Sequence, residues 1–552
     1  MIPISSSSET TPAEAEQPRA AGDWPGRLLR ACHGLLLRDT VVFGVPGAVV
    51  VLGLIGQLNT MVIPDIAWYL HSGARYLEGG TLYRDVFVEV NPPLGFFLTL
   101  PAVVVARLAG LFAPDVFVVY VYLLIAGSLG VVWWLLRDET WLAPVLGRGL
   151  FVLTAVALVI GPGNQFGQRE HFLILLSLPY LLLTARWAAG LGAPRFAAFA
   201  LGLAAGLGFA LKPYYLLIPL ALEVYRLWLT RRPGHMLRPE TLGLGLALIG
   251  YGAVLVWITP DYLSRILPYA LEVYNQAYRN PMWAVVFRGE TIMLPVGCLL
   301  HLALRRGLKA PHLGDVLFLA SACWYLTFLV QMKGWVYHLY PASTCLVLGY
   351  GLLFVNGLVT SAEDGRAAGQ PRARRDIPVA CLILIAILVA NDAARLGYAS
   401  PFTRIMSPYV ERYARGGSIA IFGSNVWPGF PLVIYEKLGW SSRFPTLWLL
   451  PGTVRKRHAG SPDNGALLEE METFTRESVI ADLAADMPDL IVVDDRVEKS
   501  YFAELSFDYL AFFRQDPRFA RIWSEYVWVA EEAAFDIYRR RCAPNCRQAA
   551  TR

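Results

Sequence analysis

Charge is the first thing this sequence is short of. Of 552 residues, 16% are Asp, Glu, Lys or Arg and 55% are hydrophobic, with a mean hydropathy of +0.45. A soluble globular chain carries roughly 25% charge, so most of this one cannot face water. Cysteine is scarce as well. Of seven, Cys298, Cys323, Cys345 and Cys381 lie in apolar runs, where thiols act as small hydrophobes, and no Cys/His spacing suggests a zinc site. Cys542 and Cys546 are near enough to pair, but only in an oxidising compartment, and the sequence leaves that open. A repeat of about 20–50 residues is missing, which argues against a solenoid. So is apolar alternation, which excludes a transmembrane β-barrel. The net charge of +5 is small, and basic residues cluster beside apolar runs (Arg231, Arg232; Arg305, Arg306, Lys309; Arg372, Arg374, Arg375). That is the positive-inside pattern and not a nucleic-acid patch.

What the chain does have is long apolar runs. Val41–Leu58, Val116–Leu136, Leu242–Ile258, Val316–Val330, Leu346–Val359 and Val379–Val389 approach, with their flanks, the roughly 20 residues that cross about 30 Å of hydrocarbon. The expected fold class is a polytopic α-helical membrane protein of about 11 to 13 spans. Residues 1–38 open with Ser, Thr, Glu, Ala and Pro and read as a disordered cytoplasmic tail. They are too polar and too long before Val41 for a cleaved signal peptide. Residues 39–394 form the membrane domain, with 61–93 as its first outer loop. With the basic clusters inside, the region after about Asn391 falls outside. There Ser418–Phe422 and Asp489–Asp495 read as strands around a helical stretch, Leu467–Ala485, so 395–552 is expected to be a soluble extracytoplasmic α/β domain. Between the outer loop and Arg231 the number of crossings must be odd. Six apolar pieces are visible, the first of them, from Leu94, read as the second span, so one must be re-entrant, two must merge or one must split; the short pieces near 150–186 and the pair around Lys212-Pro213 are the suspects.

The outer loop holds charge and aromatic surface together: Asp65, Arg75, Glu78, Arg84, Asp85 and Glu89 among Trp68, Tyr69, Tyr76, Tyr83 and Phe87. Asp65 follows Pro64 at the mouth of a span. It reads either as a helix cap or as a general base for an acceptor hydroxyl. Arg84, Asp85 and Glu89 form exposed pairs of little energetic worth, or orient a sugar with Arg84 on its phosphate. Ionisable groups within or beside spans default to functional hypotheses. Gln168-Arg169-Glu170-His171 stands beside a glycine-rich break, more polar than an interfacial anchor requires. Lys212, with Pro213 breaking the helix, either snorkels or meets an anionic headgroup. Lys333 and His338, in an outer Trp/Tyr belt, add a fixed cation and a proton carrier. These groups sit at span ends rather than at mid-depth. That suits a phosphate diester on a lipid better than a relay across the bilayer.

At Pro64-Asp65 and Asn91-Pro92-Pro93-Leu94 the chain resembles the GT-C integral-membrane glycosyltransferases, in particular the protein O-mannosyltransferase and lipid A aminoarabinose transferase group. Gly206-to-Lys212 followed by Pro213 is similar to their Gly-rich segment ending in Lys. The resemblance implies about a dozen spans with an extracytoplasmic C-terminal domain. It also implies a polyprenyl-phosphate sugar donor, inverting transfer to a hydroxyl of a glycan, glycolipid or protein, and a place in a bacterial inner membrane with the site on the periplasmic side. Asp65 carries over as the catalytic carboxylate. The relatives' two phosphate-contacting cations fall at Trp68 and Asn91 here, leaving Arg75, Arg84, Arg169, Lys212 and Lys333 as replacements, with Asp85, Glu89, Glu170, His171 and His338 as further donor-binding candidates. No cofactor is expected, and a divalent metal stays open. The alternative is a lipid or polysaccharide transporter using the same cations without glycosyl transfer.

Overall fold

The computed structural model describes residues 24–232, 237–364, 373–460 and 464–541. Cys542 and Cys546, like residues 1–23, lie outside them. Among the described residues, seven helices are long and apolar enough to cross a membrane: Asp39–Leu58, Ala113–Leu136, Arg169–Ala188, Pro239–Ile258, Pro311–Gln331, Val336–Glu363 and Asp376–Ala393. Leu94–Ala109, Pro144–Val159 and Arg195–Ala210 are shorter apolar helices, as are Leu217–Thr230 and Gly289–Leu304. The tail expected to be disordered is in part ordered: Trp24–Leu36 is a helix. Leu28, Cys32 and Leu36 recur every fourth residue and pack against the core, a face that the polar residues before it conceal from a compositional reading.

The six apolar pieces after the outer loop form six separate helices; none merge and none split. Parity is restored by Leu94–Ala109, expected to be the second span. It begins beside Asn91 in the central cavity. It ends just before Phe112, whose ring packs on Tyr435 of the C-terminal region at 5.3 Å. Both ends therefore lie at the same end of the bundle. The opposite end is marked by the Arg186–Asp138 ion pair at 2.6 Å, which joins the far ends of the next helices. Leu94–Ala109 packs on Pro64–Leu77, where Gly73 gives room to Val103. It exposes Val105 and Leu108, an apolar outward face suited to lying in a bilayer interface. Composition cannot separate such a helix from a span.

The C-terminal region carries a five-stranded sheet of β1 (Ser418–Phe422), β2 (Gly439–Trp440), β3 (Leu490–Asp494), β4 (Tyr526–Glu532) and β5 (Phe535–Arg540), ordered β2-β1-β3-β5-β4. β1 is parallel to β2 and β3, and Ile421 pairs with Val492. β1 and β3 are almost wholly buried runs, as two-sided parallel strands require. β4 and β5 form an antiparallel hairpin on the β3 edge. The outer loop is sewn to this region through its backbone: Val88 N donates to Arg443 O at 2.9 Å, Met61 N to Tyr398 O at 2.9 Å, and the Trp448 indole to Val88 O at 3.2 Å.

Candidate active site

A cavity of about 400 Å³ lies where the outer loop, the Arg169–Ala188 helix and the C-terminal region meet. Asp65 opens onto it from the first turn of Pro64–Leu77. Pro64 occupies the first helical position, with its fixed φ and missing N–H, and Ile63 is the cap residue. Asp65 makes no cap hydrogen bond among the described residues. Instead it accepts from Gln168 Nε2 at 2.8 Å, and its side chain is one-third exposed. Gln168 is also the cap residue of Arg169–Ala188: its Oε1 accepts from Arg169 N at 3.2 Å while its amide holds Asp65. Both ends of that amide are used, which fixes the carboxylate's orientation.

Arg169 is buried against the same cavity, with Nη2 3.8 Å from Asp65 Oδ2. Its Nε and Nη1 have no hydrogen-bond partner among the described residues. A buried guanidinium with idle donors is costly unless a ligand supplies acceptors. Gly95 lets its stem pass: a Cβ there would stand 3.1 Å from Arg169 Cγ and 3.3 Å from the Tyr69 ring. Glu89 is the second carboxylate on the cavity. It is buried and accepts from the Tyr69 hydroxyl at 3.2 Å and from the Asn91 amide. Burial pushes its carboxyl up to about 7; Arg169 pulls the other way, and Asp65 adds to the rise. Asp65, Glu89 and Arg169 are the charged residues lining the cavity among the described residues.

The remaining candidates separate. Lys212 Nζ is 2.5 Å from Glu170 Oε1 and 2.9 Å from His338 Nε2, and the Tyr215 hydroxyl donates to the same Glu170 oxygen at 2.7 Å. This buried set lies behind the cavity wall, and its cation is already paired. Lys212 is extended, between Arg195–Ala210 and a short helical turn at Pro213–Leu216. Lys333 stands over the ring of Tyr274 at 3.8 Å. Burial, reinforced by Lys212 and Arg169, pulls its ammonium down to about 6. His171 spends both nitrogens on backbone, accepting from Gly167 N at 3.1 Å and meeting Leu158 O at 3.0 Å; it braces the glycine-rich break. Arg75 donates to Trp440 O at 3.2 Å, and Asp85 accepts from Thr81 N at 2.6 Å. Arg84, 63% exposed, pairs with Asp261 at 2.7 Å. These three fix the loop and do not line the cavity. Trp68 is buried, stacked on Phe87 at 6.0 Å.

No family model matches the sequence, and no curated protein does. Solved structures do. The structure of ArnT from Cupriavidus metallidurans bound to undecaprenyl phosphate aligns with a TM-score of 0.50 at 14% identity, over 91% of this chain and 98% of that one. The apo ArnT structure gives 0.50 at 13%, over 93% and 99%. This chain shares the fold of ArnT. Arabinofuranosyltransferase AftD from Mycobacteria aligns at 0.44 and 17%, over 94% of this chain and 40% of that one.

Within this fold, the cavity residues that the sequence does not single out are the aromatic and neutral polar ones. Tyr274, Tyr278, Trp335, Tyr337, Tyr398 and Tyr501 line the cavity with Ser424, Asn425, Trp427, Thr446 and Trp448. Ser424 to Trp448, with Tyr501, come from segments following the carboxyl ends of β1, β2 and β3, where ligands bind in open α/β sheets. The turn-rich Gly423-Ser424-Asn425 after an apolar run was the one signal for them in the sequence.

Proposed function

We propose that this chain is an inverting glycosyltransferase moving a sugar from a polyprenyl-phosphate donor onto a hydroxyl of a cell-envelope glycan, glycolipid or protein. One observation carries it: a partly exposed carboxylate, Asp65, shares a cavity with a buried guanidinium, Arg169, that has two idle nitrogens. The phosphate diester binds Arg169, the fork matching its oxygens. Asp65 takes the acceptor hydroxyl's proton as that oxygen attacks the anomeric carbon. The carbon–oxygen bond to phosphate breaks, the lipid leaves as its monophosphate, and in-line attack inverts the centre. No step is assigned to a metal or other cofactor. Support comes from the shared fold with ArnT, whose structure holds undecaprenyl phosphate. The same reading places the chain in a bacterial plasma membrane, with the cavity and the C-terminal region on the periplasmic side.

The test is Asp65→Asn in the purified full chain, supplied with a radiolabelled polyprenyl-phosphate sugar and a cell-envelope extract. Loss of both sugar transfer and lipid-phosphate release, with unchanged thermal melting, is expected. Transfer retained by the variant rejects the assignment. Labelled lipid that crosses proteoliposomes uncleaved points to a transporter instead.

A further inference from the structure

Resting on that reading, we infer that the cavity wall built by the C-terminal region is a subsite for an uncharged sugar ring, so that the acceptor is a glycan hydroxyl. The cavity is divided by charge. Asp65, Glu89 and Arg169 all come from the outer loop and the Arg169–Ala188 helix, whereas the opposite wall presents Ser424, Asn425, Trp427, Thr446, Trp448 and Tyr501. The Trp427 indole and the Tyr501 phenol, both partly exposed, offer apolar surface to the C–H side of a pyranose, and the Asn425 amide suits its rim.

Hydrogen-bonding capacity on this wall is also divided. Thr446 donates to Gly423 O at 2.6 Å, Ser424 to Ser500 O at 2.8 Å and Trp448 to Val88 O at 3.2 Å, so these groups hold loops in place. The Asn425 amide and the Tyr501 hydroxyl, by contrast, make no hydrogen bond among the described residues. The Tyr501 ring is held 4.2 Å from that of Tyr278, and Trp427 sits edge-on to Phe402 at 5.3 Å. The platform is therefore fixed before a ligand arrives, which lowers the ordering cost of binding.

Among the described residues, no cation from the C-terminal region lines this wall for an anionic acceptor group. Arg496, near Trp427, gives two hydrogen bonds to Asp494 at 2.8 and 2.6 Å, and Arg443 is spent on Asp482 at 2.8 Å. The lining cation, Arg169, is already assigned to the donor phosphate. With Arg169 engaged, a second phosphate beside Asp65 would face a carboxylate and no further lining cation among the described residues.

The full chain in nanodiscs, charged with radiolabelled polyprenyl-phosphate sugar, is offered three acceptors: a neutral oligosaccharide glycolipid, a phosphorylated glycolipid and a Ser/Thr peptide. Product is expected from the neutral glycan. Product from the phosphorylated lipid or the peptide alone overturns this inference and leaves the glycosyltransferase reading intact; donor that is never cleaved removes both. Asn425→Ala and Tyr501→Phe each delete one idle hydrogen-bonding group while keeping the fold's packing. Each is expected to raise acceptor KM about tenfold with donor KM unchanged. A change in donor KM alone counts against the subsite.

Discussion

The Arg169 guanidinium stands 3.8 Å from the Asp65 carboxylate and still has two nitrogens without a hydrogen-bond partner among the described residues. At that separation the two charges attract without forming a closed bidentate pair. Asp65 is held instead by the neutral Gln168 amide at 2.8 Å. The carboxylate is thus positioned without being neutralised, and the guanidinium is left able to receive an anion.

Replacing that guanidinium should damage donor use far more than folding. Arg169→Gln is expected to lower kcat/KM by about 10²–10³-fold, the usual loss when one buried donor to developing negative charge is removed. Arg169→Lys should recover little, because an ammonium lacks the fork. Steady-state kinetics against polyprenyl-phosphate sugar checks both, and a lysine variant with full activity counts against phosphate binding here.

Glu89 gives the reaction a pH dependence whose sign can be worked out. Burial raises its carboxyl from the ordinary 4.5 to about 7. The neutral form is therefore favoured by the fold, and that stabilisation is complete below about pH 4.5 and lost as pH rises through about 7. Ionisation also puts a second negative charge beside the proposed phosphate site. Donor KM is expected to rise several-fold between about pH 6 and 8, and melting temperature to fall over about pH 5 to 7.5. Glu89→Gln should flatten both curves. An unchanged pH profile in that variant assigns the dependence to another group.

The Lys212–Glu170 pair predicts a stability effect separable from donor binding. Both side chains are buried, 2.5 Å apart. Lys212→Met leaves an unpaired buried carboxylate and should cost about 3–5 kcal/mol, whereas adding Glu170→Gln should restore much of that loss. Thermal unfolding of the two variants in detergent decides it. If Lys212→Met melts normally but raises donor KM, Lys212 is a phosphate ligand after all.

Much of the fold was legible because apolar runs of span length have one low-energy solution in a bilayer, the helix that satisfies its own backbone. The strand-helix-strand reading of the C-terminal region was legible for a similar reason: β1 and β3 are short apolar runs bounded by turn residues, and Gly465–Asp486 lies between them. The β4–β5 hairpin was not, since its two-residue turn is Ala533-Ala534, both at positive φ, where Asn-Gly is the usual signal. The interfacial placement of Leu94–Ala109 is not legible, because an apolar helix in an interface has the composition of a short span.

By itself the sequence determined that the chain is a polytopic membrane protein, that its carboxylates and cations gather at span ends, and that Asp65 opens a helix beside an aromatic loop. Local composition and Pro64 suffice for that. Only the tertiary structure decided which cation is free. Arg169 and Lys212 look alike in sequence, each at a break between apolar runs. Lys212, however, meets Glu170 and His338, the latter 126 residues away, whereas Arg169 meets Asp65 only at 3.8 Å. Pairing depends on approaches of a few ångströms between distant segments, and no local pattern in the chain encodes those.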